Sequence, residues 1–395
     1  MQYNFSDKIK ELKPSAIREI FKSLTDPSII SFAAGNPSPE SFPVEALGEI
    51  SADIFKNQST TALQYSITEG YPPLREAISK RQREKFSIGG EDDNVLIVSG
   101  GQQGMELSCK VFCNEGDEVI CENPSFIGSL NSFRSLGAAP IGVPLDEDGM
   151  DIEALENALA AHPKARLIYV IPTFQNPSGR TTSYEKRVKI YELARKYDRI
   201  IIEDNPYGEL RFSGEDVPTL KSMDEDGRVI YCSSFSKILS AGMRVGFVVA
   251  NNEIIQKLAV AKQGEDVHTN IFFQMLAYKY MTEYDMDAHI KKINDIYRRK
   301  CNLMLDALDK YMPSEVAFTR PEGGLFIWCT LPAHVDAPSF ISRAVERKVA
   351  VVPGVAFNCD TSAPSQSFRI NYSMPSDEQI VEGVKILGEL AREMI

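Results

Sequence analysis

Between residues 95 and 250, short apolar runs rich in β-branched residues alternate with amphipathic stretches, and this alternation restricts the fold more than any other feature of the chain. NVLIVS is followed by QQGMELSCKVFC and then DEVICE; further on come ARLIYVIP, the charged stretch EKRVKIYELARKYD, RIIIED, RVIYCSS and GFVVA. Runs this short and apolar suit strands buried on both faces, and the stretches between them carry helical periodicity. The rhythm therefore predicts an α/β fold with a mostly parallel sheet flanked by helices. Helical periodicity continues through EIIQKLAVAK and from Asp287 to about Tyr311, after which GGLFIWCTL, VAVVP and FRINYS predict a second, smaller sheet. The expected organisation is an N-terminal segment, residues 1–45, whose turn-formers (GNPSPESFP) lie across a domain junction, a large α/β domain over 46–288, and a small α+β domain over 289–395.

The bulk properties narrow the partners. A chain of 395 residues with 43% hydrophobic content can bury a large core, and its formal charge of -12 repels phosphate backbones and anionic lipid. Nucleic acid and membrane are thus not expected partners. No apolar run approaches the ~20 residues of a spanning helix. The opening MQYNFSDKIKELKPS lacks the apolar core of a secretion signal, so the expected location is the cytoplasm. Seven cysteines stand without a CxxC pair, and Cys109 and Cys113, one helical turn apart, read as core thiols. His162, His268, His289 and His334 are isolated from one another, so no catalytic metal is expected.

Four segments carry candidate chemistry. In NVLIVSGGQQGMEL an apolar strand runs through Ser99, Gly100, Gly101 and Gln102 into a helix whose first backbone N–H groups are unpaired. Such a helix start offers roughly half a positive charge to an anion, although the same turn serves plain strand-to-helix connections. A dinucleotide fingerprint would need glycine at 99, where Ser99 stands, so a phosphate monoester suits the turn better. In CSSFSKILSAGMRVGFV, Lys237 follows a strand end rich in small residues and precedes Arg244. A recess beside other cations lowers a lysine's pKa and suits it to Schiff-base chemistry, while an ordinary surface lysine is the alternative. Ser234 and Lys237 also fit the Ser-x-x-Lys of acyl-transferring serine enzymes, but the Lys-Thr-Gly strand that accompanies it is missing. RIIIEDNPYGEL places Asp204 at a strand's C-terminal edge, where α/β sheets bind ligands and carboxylates also cap turns. In LIYVIPTFQNPSGR, Asn176 and Pro177 sit in a turn that either merely reverses the chain or presents an amide to a cofactor.

In their order and spacing these segments resemble the type I fold aminotransferases dependent on pyridoxal 5'-phosphate, and in particular the subgroup acting on 2-aminoadipate, kynurenine and aromatic amino acids. The resemblance spans nearly the whole chain. It implies that Lys237 forms the Schiff base with the cofactor and later moves the substrate's proton, that Asp204 pairs with the pyridine nitrogen, and that Tyr207 and Asn176 bond the cofactor's 3-oxygen. It further implies a phosphate cup of Gly100, Gly101, Gln102, Ser234, Ser236 and Arg244, with Phe126 stacked on the ring where relatives often carry Tyr. Arg369 matches the arginine that grips the substrate α-carboxylate, assisted by Asn176. Tyr65 matches a tyrosine that reaches the neighbouring subunit's phosphate, which implies a homodimer with shared active sites. Arg18 and Gly35 match the N-terminal segment that closes over substrate.

The expected reaction is ping-pong transfer of the amino group of an L-amino acid, whether aromatic, 2-aminoadipate-like or branched, to a 2-oxo acid, with 2-oxoglutarate the expected acceptor. Three alternatives accompany it: another reaction on the same fold, namely a C–S β-lyase or a decarboxylase; a transcription regulator built on this fold, against which the acidic chain and the missing helix-turn-helix argue; and the Ser-x-x-Lys acyl hydrolase.

Overall fold

The computed structural model describes residues 3–10, 26 and 28–395. Among the described residues the chain forms fourteen strands: β1 (Ile30–Ser31), β2 (Asp93–Val98), β3 (Glu118–Asn123), β4 (Ala139–Asp146), β5 (Gly149–Met150), β6 (Ala165–Val170), β7 (Ile200–Asp204), β8 (Val229–Ser234), β9 (Gly246–Asn251), β10 (Ala317–Phe318), β11 (Phe326–Thr330), β12 (Val349–Ala350), β13 (Val352–Pro353) and β14 (Ser367–Asn371). The large sheet has the order β2-β9-β8-β7-β6-β3-β4-β5. Its central pairs β4/β3, β3/β6, β6/β7 and β7/β8 are parallel, and β9 runs antiparallel to both β8 and β2.

Both faces of this sheet are covered, which is why its strands read as continuous apolar runs. Helices Gly101–Phe112, Ile127–Ser135 and Asn252–Gln263 pack on one face through Leu107, Leu130, Phe133 and Leu258. Helices Ile152–Ala161 and Tyr184–Lys196 pack on the other through Leu155, Leu159 and Ile190. Close approach matters at Gly104, where an added Cβ would lie 3.0 Å from Val248 and 3.1 Å from Cys232. The helix that begins at the phosphate-type turn is thereby held tight against β8 and β9.

β4 departs from the expectation: APIGVPLD is a strand that its sequence hides behind Pro140 and Pro144. Proline removes a ladder donor, and it is accommodated here because β4 has a full partner only on its β3 side, with the two-residue β5 beyond.

The chain after the large sheet continues in a 26-residue helix, Met286–Tyr311, opened by Asp285, whose side chain accepts from Ala288 N. The boundary expected between 288 and 289 falls inside the first turn of this helix. A four-stranded antiparallel sheet, β10-β11-β14-β13, and helices Ala337–Glu346 and Asp377–Met394 follow. The N-terminal segment joins this part of the molecule, since β1 pairs in parallel with β12 and Phe32 is fully buried in the core. That route carries residues 33–35 past the C-terminal ends of the large sheet's strands.

Candidate active site

The parallel strands end on one side of the sheet, and each contributes a loop there. After β2, Gly100 adopts φ 84° and caps the helix Gly101–Phe112. A Cβ at Gly100 would lie 2.1 Å from Arg244 Nη2, so only glycine lets the arginine close over this turn. Arg244, itself left-handed at φ 54°, donates from Nη2 to Ser99 O at 3.3 Å and from Nη1 to Ser236 Oγ at 3.4 Å. Ser234 Oγ donates to Ser236 Oγ at 2.7 Å and accepts from Ser236 N at 3.0 Å. A helix start, two hydroxyls and a guanidinium thus surround one small space, a donor set suited to a phosphate dianion. Gln102 belongs to the same turn, but its side chain turns away to Gly128 O and Ser132 Oγ. Phe126 stands at the start of the neighbouring helix, part of the same apolar surface.

β7 ends in Asp204, which is buried and accepts from the Tyr169 phenol at 2.7 Å. Burial drives its carboxyl up to about 7, and the Tyr169 bond opposes the shift. No cation is paired with it among the described residues. A buried carboxylate with one neutral donor is expensive unless a cationic group arrives, and the protonated pyridine of a cofactor is such a group.

Lys237 Nζ donates to the Gly35 carbonyl at 2.7 Å. Burial, then the charges of Arg369 and Arg244, lower its amine to about 8, within reach of the neutral form that attacks a carbonyl. Its neighbour Ser234 is engaged with Ser236 and with Val245 O, so the serine–lysine pair required for acyl transfer is not formed. Tyr207 is buried, its ring edge-on to Phe326 at 5.8 Å; burial raises its phenol and the Arg369 charge opposes that rise.

Arg369, on β14, is almost wholly buried. Its Nη1 donates to Asn176 Oδ1 at 2.8 Å and its Nη2 to Ala33 O at 2.7 Å, while Nε has no partner. The guanidinium lies 4.1 Å from the Phe326 ring centre and 5.1 Å from that of Phe357, two aromatic neighbours that hold its plane. Asn176 is fixed by its loop: Gln175 Oε1 accepts from Ser178 N, and Gln175 Nε2 donates to Glu122 Oε2 and Pro124 O. Tyr65 is 82% exposed and meets His268 edge-on at 5.9 Å. Arg18 lies outside the described residues.

Sequence reading gave no role in this site to five residues that take part in it: Tyr169, Phe326, Phe357, Gln175 and Glu122. The first and last had a signal, since a tyrosine in LIYVIP and a glutamate in DEVICE each place a polar group in a strand buried on both faces. Among the described residues no group of His, Cys, Asp and Glu could hold a metal ion.

Fold and site together define a pyridoxal-phosphate enzyme of the type I fold, the site offering a buried lysine amine, a buried carboxylate without a cation and a turn rich in anion donors. The chain belongs to the class I and II aminotransferases, whose family model matches residues 27–387. It is 42% identical over 393 residues to aromatic-amino-acid aminotransferase 1 of Thermococcus litoralis, covering 98% of this chain and 94% of that one. Among solved structures it resembles Pyrococcus horikoshii kynurenine aminotransferase in complex with PMP, at 40% identity and TM-score 0.95, covering 98% of this chain and 97% of that one. It also resembles LysN, the α-aminoadipate aminotransferase of Thermus thermophilus complexed with N-(5'-phosphopyridoxyl)-L-leucine, at 38% identity and TM-score 0.90, with 99% and 97% covered. The protein is a pyridoxal-phosphate-dependent transaminase of amino acids.

Proposed function

We propose that the enzyme moves the amino group of an aromatic, 2-aminoadipate-like or branched L-amino acid to a 2-oxo acid, with 2-oxoglutarate as the acceptor, in a ping-pong cycle. The observation that carries this reading is the convergence of Lys237, Asp204 and Arg369 from three separate segments, with relatives named for aromatic, kynurenine and 2-aminoadipate substrates. When bound, pyridoxal phosphate supplies an aldehyde that a lysine can hold covalently and a ring that takes up the electron pair of the broken Cα–H bond.

The chain's own residues divide the remaining work. Lys237 tethers, and in its neutral form accepts the Cα proton; Asp204 keeps a positive charge on the ring nitrogen; Tyr207 and Asn176 hydrogen-bond the ring oxygen and Phe126 covers the ring face. The backbone of Gly100, Gly101 and Gln102 with Ser234, Ser236 and Arg244 holds the phosphate. Arg369 grips the α-carboxylate with a rigid fork already oriented by Asn176 and the two phenylalanines. Gly35, whose carbonyl meets Lys237, lines the substrate side, and Arg18 meets a distal carboxylate.

Two chains form a homodimer in this reading, with Tyr65 completing the partner's phosphate site. Leu63, Tyr65, Ile67 and Val267 are exposed at 48% or more, which is apolar surface of the kind an isologous interface covers. The same reading keeps residues 46–288 and 289–395 as the two domains and the cytoplasm as the site of action.

The test is to mix the loaded enzyme with single L-amino acids and no acceptor, following cofactor absorbance and released product. Stoichiometric conversion to pyridoxamine phosphate plus the matching 2-oxo acid, fastest for phenylalanine, kynurenine, 2-aminoadipate or leucine, is expected. Ammonia with pyruvate, or carbon dioxide, as the main product would replace the reading with lyase or decarboxylase chemistry.

A further inference from the structure

We propose that Tyr169 is a positioning residue for Asp204, holding one carboxylate oxygen so that the ionised group is fixed in place for the cofactor's pyridine nitrogen. The inference rests on the reading of Asp204 given above and adds to it a residue that acts through Asp204.

The register builds the contact. Tyr169 on β6 pairs with Ile202 on β7, two residues before Asp204 and so on the same face of the sheet. A diagonal neighbour on an adjacent strand lies within reach of a long aromatic side chain, and the phenol donates to Asp204 Oδ2 at 2.7 Å. Its ring is fully buried and braced edge-on by Phe133 at 5.4 Å and 79°. Neither partner has room to wander, so the hydrogen bond fixes the carboxylate's rotation as well as its position.

The surroundings make this bond decisive. It is the only hydrogen bond the Asp204 side chain makes among the described residues. The titratable groups that face Asp204 from other elements are Glu122 on β3, Cys232 on β8 and Tyr207 in the loop after β7, and none is a cation. Burial favours the neutral acid, and the phenol is the group that favours the carboxylate. Any buried tyrosine needs an acceptor, and a backbone carbonyl would satisfy it; here the acceptor is the carboxyl of the last residue of the neighbouring strand. Phenylalanine at 169 would keep the ring packing and take away only the donor.

The experiment measures the equilibrium affinity of the apoprotein for pyridoxal phosphate in wild type, Tyr169→Phe, Asp204→Asn and the double variant, across pH 6 to 9. Tyr169→Phe is expected to weaken binding about tenfold, the scale of one hydrogen bond to a charged group, and to displace the pH dependence of affinity upward. Added to Asp204→Asn, it should cost about threefold or less, because a residue that works through Asp204 has little left to act on. Wild-type affinity in Tyr169→Phe beside a weakened Asp204→Asn overturns this inference alone. So does a full tenfold loss in both backgrounds, the mark of a packing role. Wild-type affinity in Asp204→Asn overturns the Asp204 reading and this inference with it.

Discussion

The amine of Lys237 is hydrogen-bonded to the carbonyl of Gly35, 202 residues earlier in the chain, so the N-terminal segment rests directly on this lysine. Burial and two neighbouring arginines bring that amine down to about 8 from its ordinary 10.5. Only the neutral amine attacks an aldehyde, so covalent capture of pyridoxal phosphate by the apoprotein should accelerate about tenfold per pH unit below 8 and level off above it. Stopped-flow absorbance from pH 6 to 9.5 measures this, and a rate still climbing at pH 9.5 would show an unperturbed lysine. Lys237→Ala should bind the cofactor without covalent attachment and lose turnover by at least about a thousandfold; turnover retained in that variant would sink the mechanism.

Arg369 is held between Phe326 and Phe357 with both terminal nitrogens already engaged, and its unpartnered Nε leaves capacity for a substrate carboxylate. Every amino acid substrate presents the same α-carboxylate. Arg369→Ala should therefore raise KM for all of them by a similar factor, about a hundredfold or about 3 kcal/mol, with a smaller effect on kcat. Arg369→Lys should recover little of this, since an ammonium cannot reproduce the planar fork. Steady-state kinetics on one aromatic, one acidic and one branched substrate test it, and a loss confined to one class would reassign the residue to side-chain recognition.

The alternating pattern between residues 95 and 250 announced β2, β3 and β6 to β9 because strands buried on both faces need apolar residues at every position. β4 stayed hidden because a strand with one full neighbour tolerates Pro140 and Pro144. The cofactor-type loops were legible as well, since a glycine that must admit Arg244, a lysine at a strand end and a carboxylate at a strand's edge each leave a local mark. Contacts that depend on strand register leave none. That Tyr169 reaches Asp204, or that Phe326 and Phe357 flank Arg369, follows from which residues face each other across strands and domains. The Ser-x-x-Lys spacing, by contrast, was a local pattern without a geometric counterpart, because the chain turns Ser234 toward Ser236.

Asp204 also gives the apoprotein a characteristic response to pH. Its folded carboxyl titrates at about 7, raised from 3.8, so between those values the folded chain keeps a proton that the unfolded chain has lost. Stability from this group is fully present below about pH 4 and is lost as pH rises through 7, leaving a buried carboxylate without a cation. Asp204→Asn should therefore melt higher than wild type as an apoprotein at pH 8, by at most about 4 kcal/mol at about 1.4 kcal/mol per unit, with the difference vanishing near pH 4. Glu122, also raised to about 7, is shifted first by burial, which is the same in both proteins, and only in smaller part by the Asp204 charge, so most of its contribution is common to the two. Loading with pyridoxal phosphate should reverse the order at pH 8, and thermal melts with and without cofactor decide the point.

Tyr65 offers the most direct test of shared active sites. Tyr65 is 82% exposed and stands beside exposed Leu63 and Ile67. In the homodimer proposed above, its role is at the cup of the second copy. Tyr65→Ala and Lys237→Ala should each be nearly inactive at limiting cofactor, one for lack of a phosphate contact and the other for lack of the lysine. When the two variants are unfolded together and refolded, half of the dimers combine them, and each such dimer has one site with both residues intact. Activity should recover to about a quarter of wild type. Full activity of Tyr65→Ala on its own, with a monomer on sizing chromatography, would leave Tyr65 as a surface aromatic and each active site the property of a single chain.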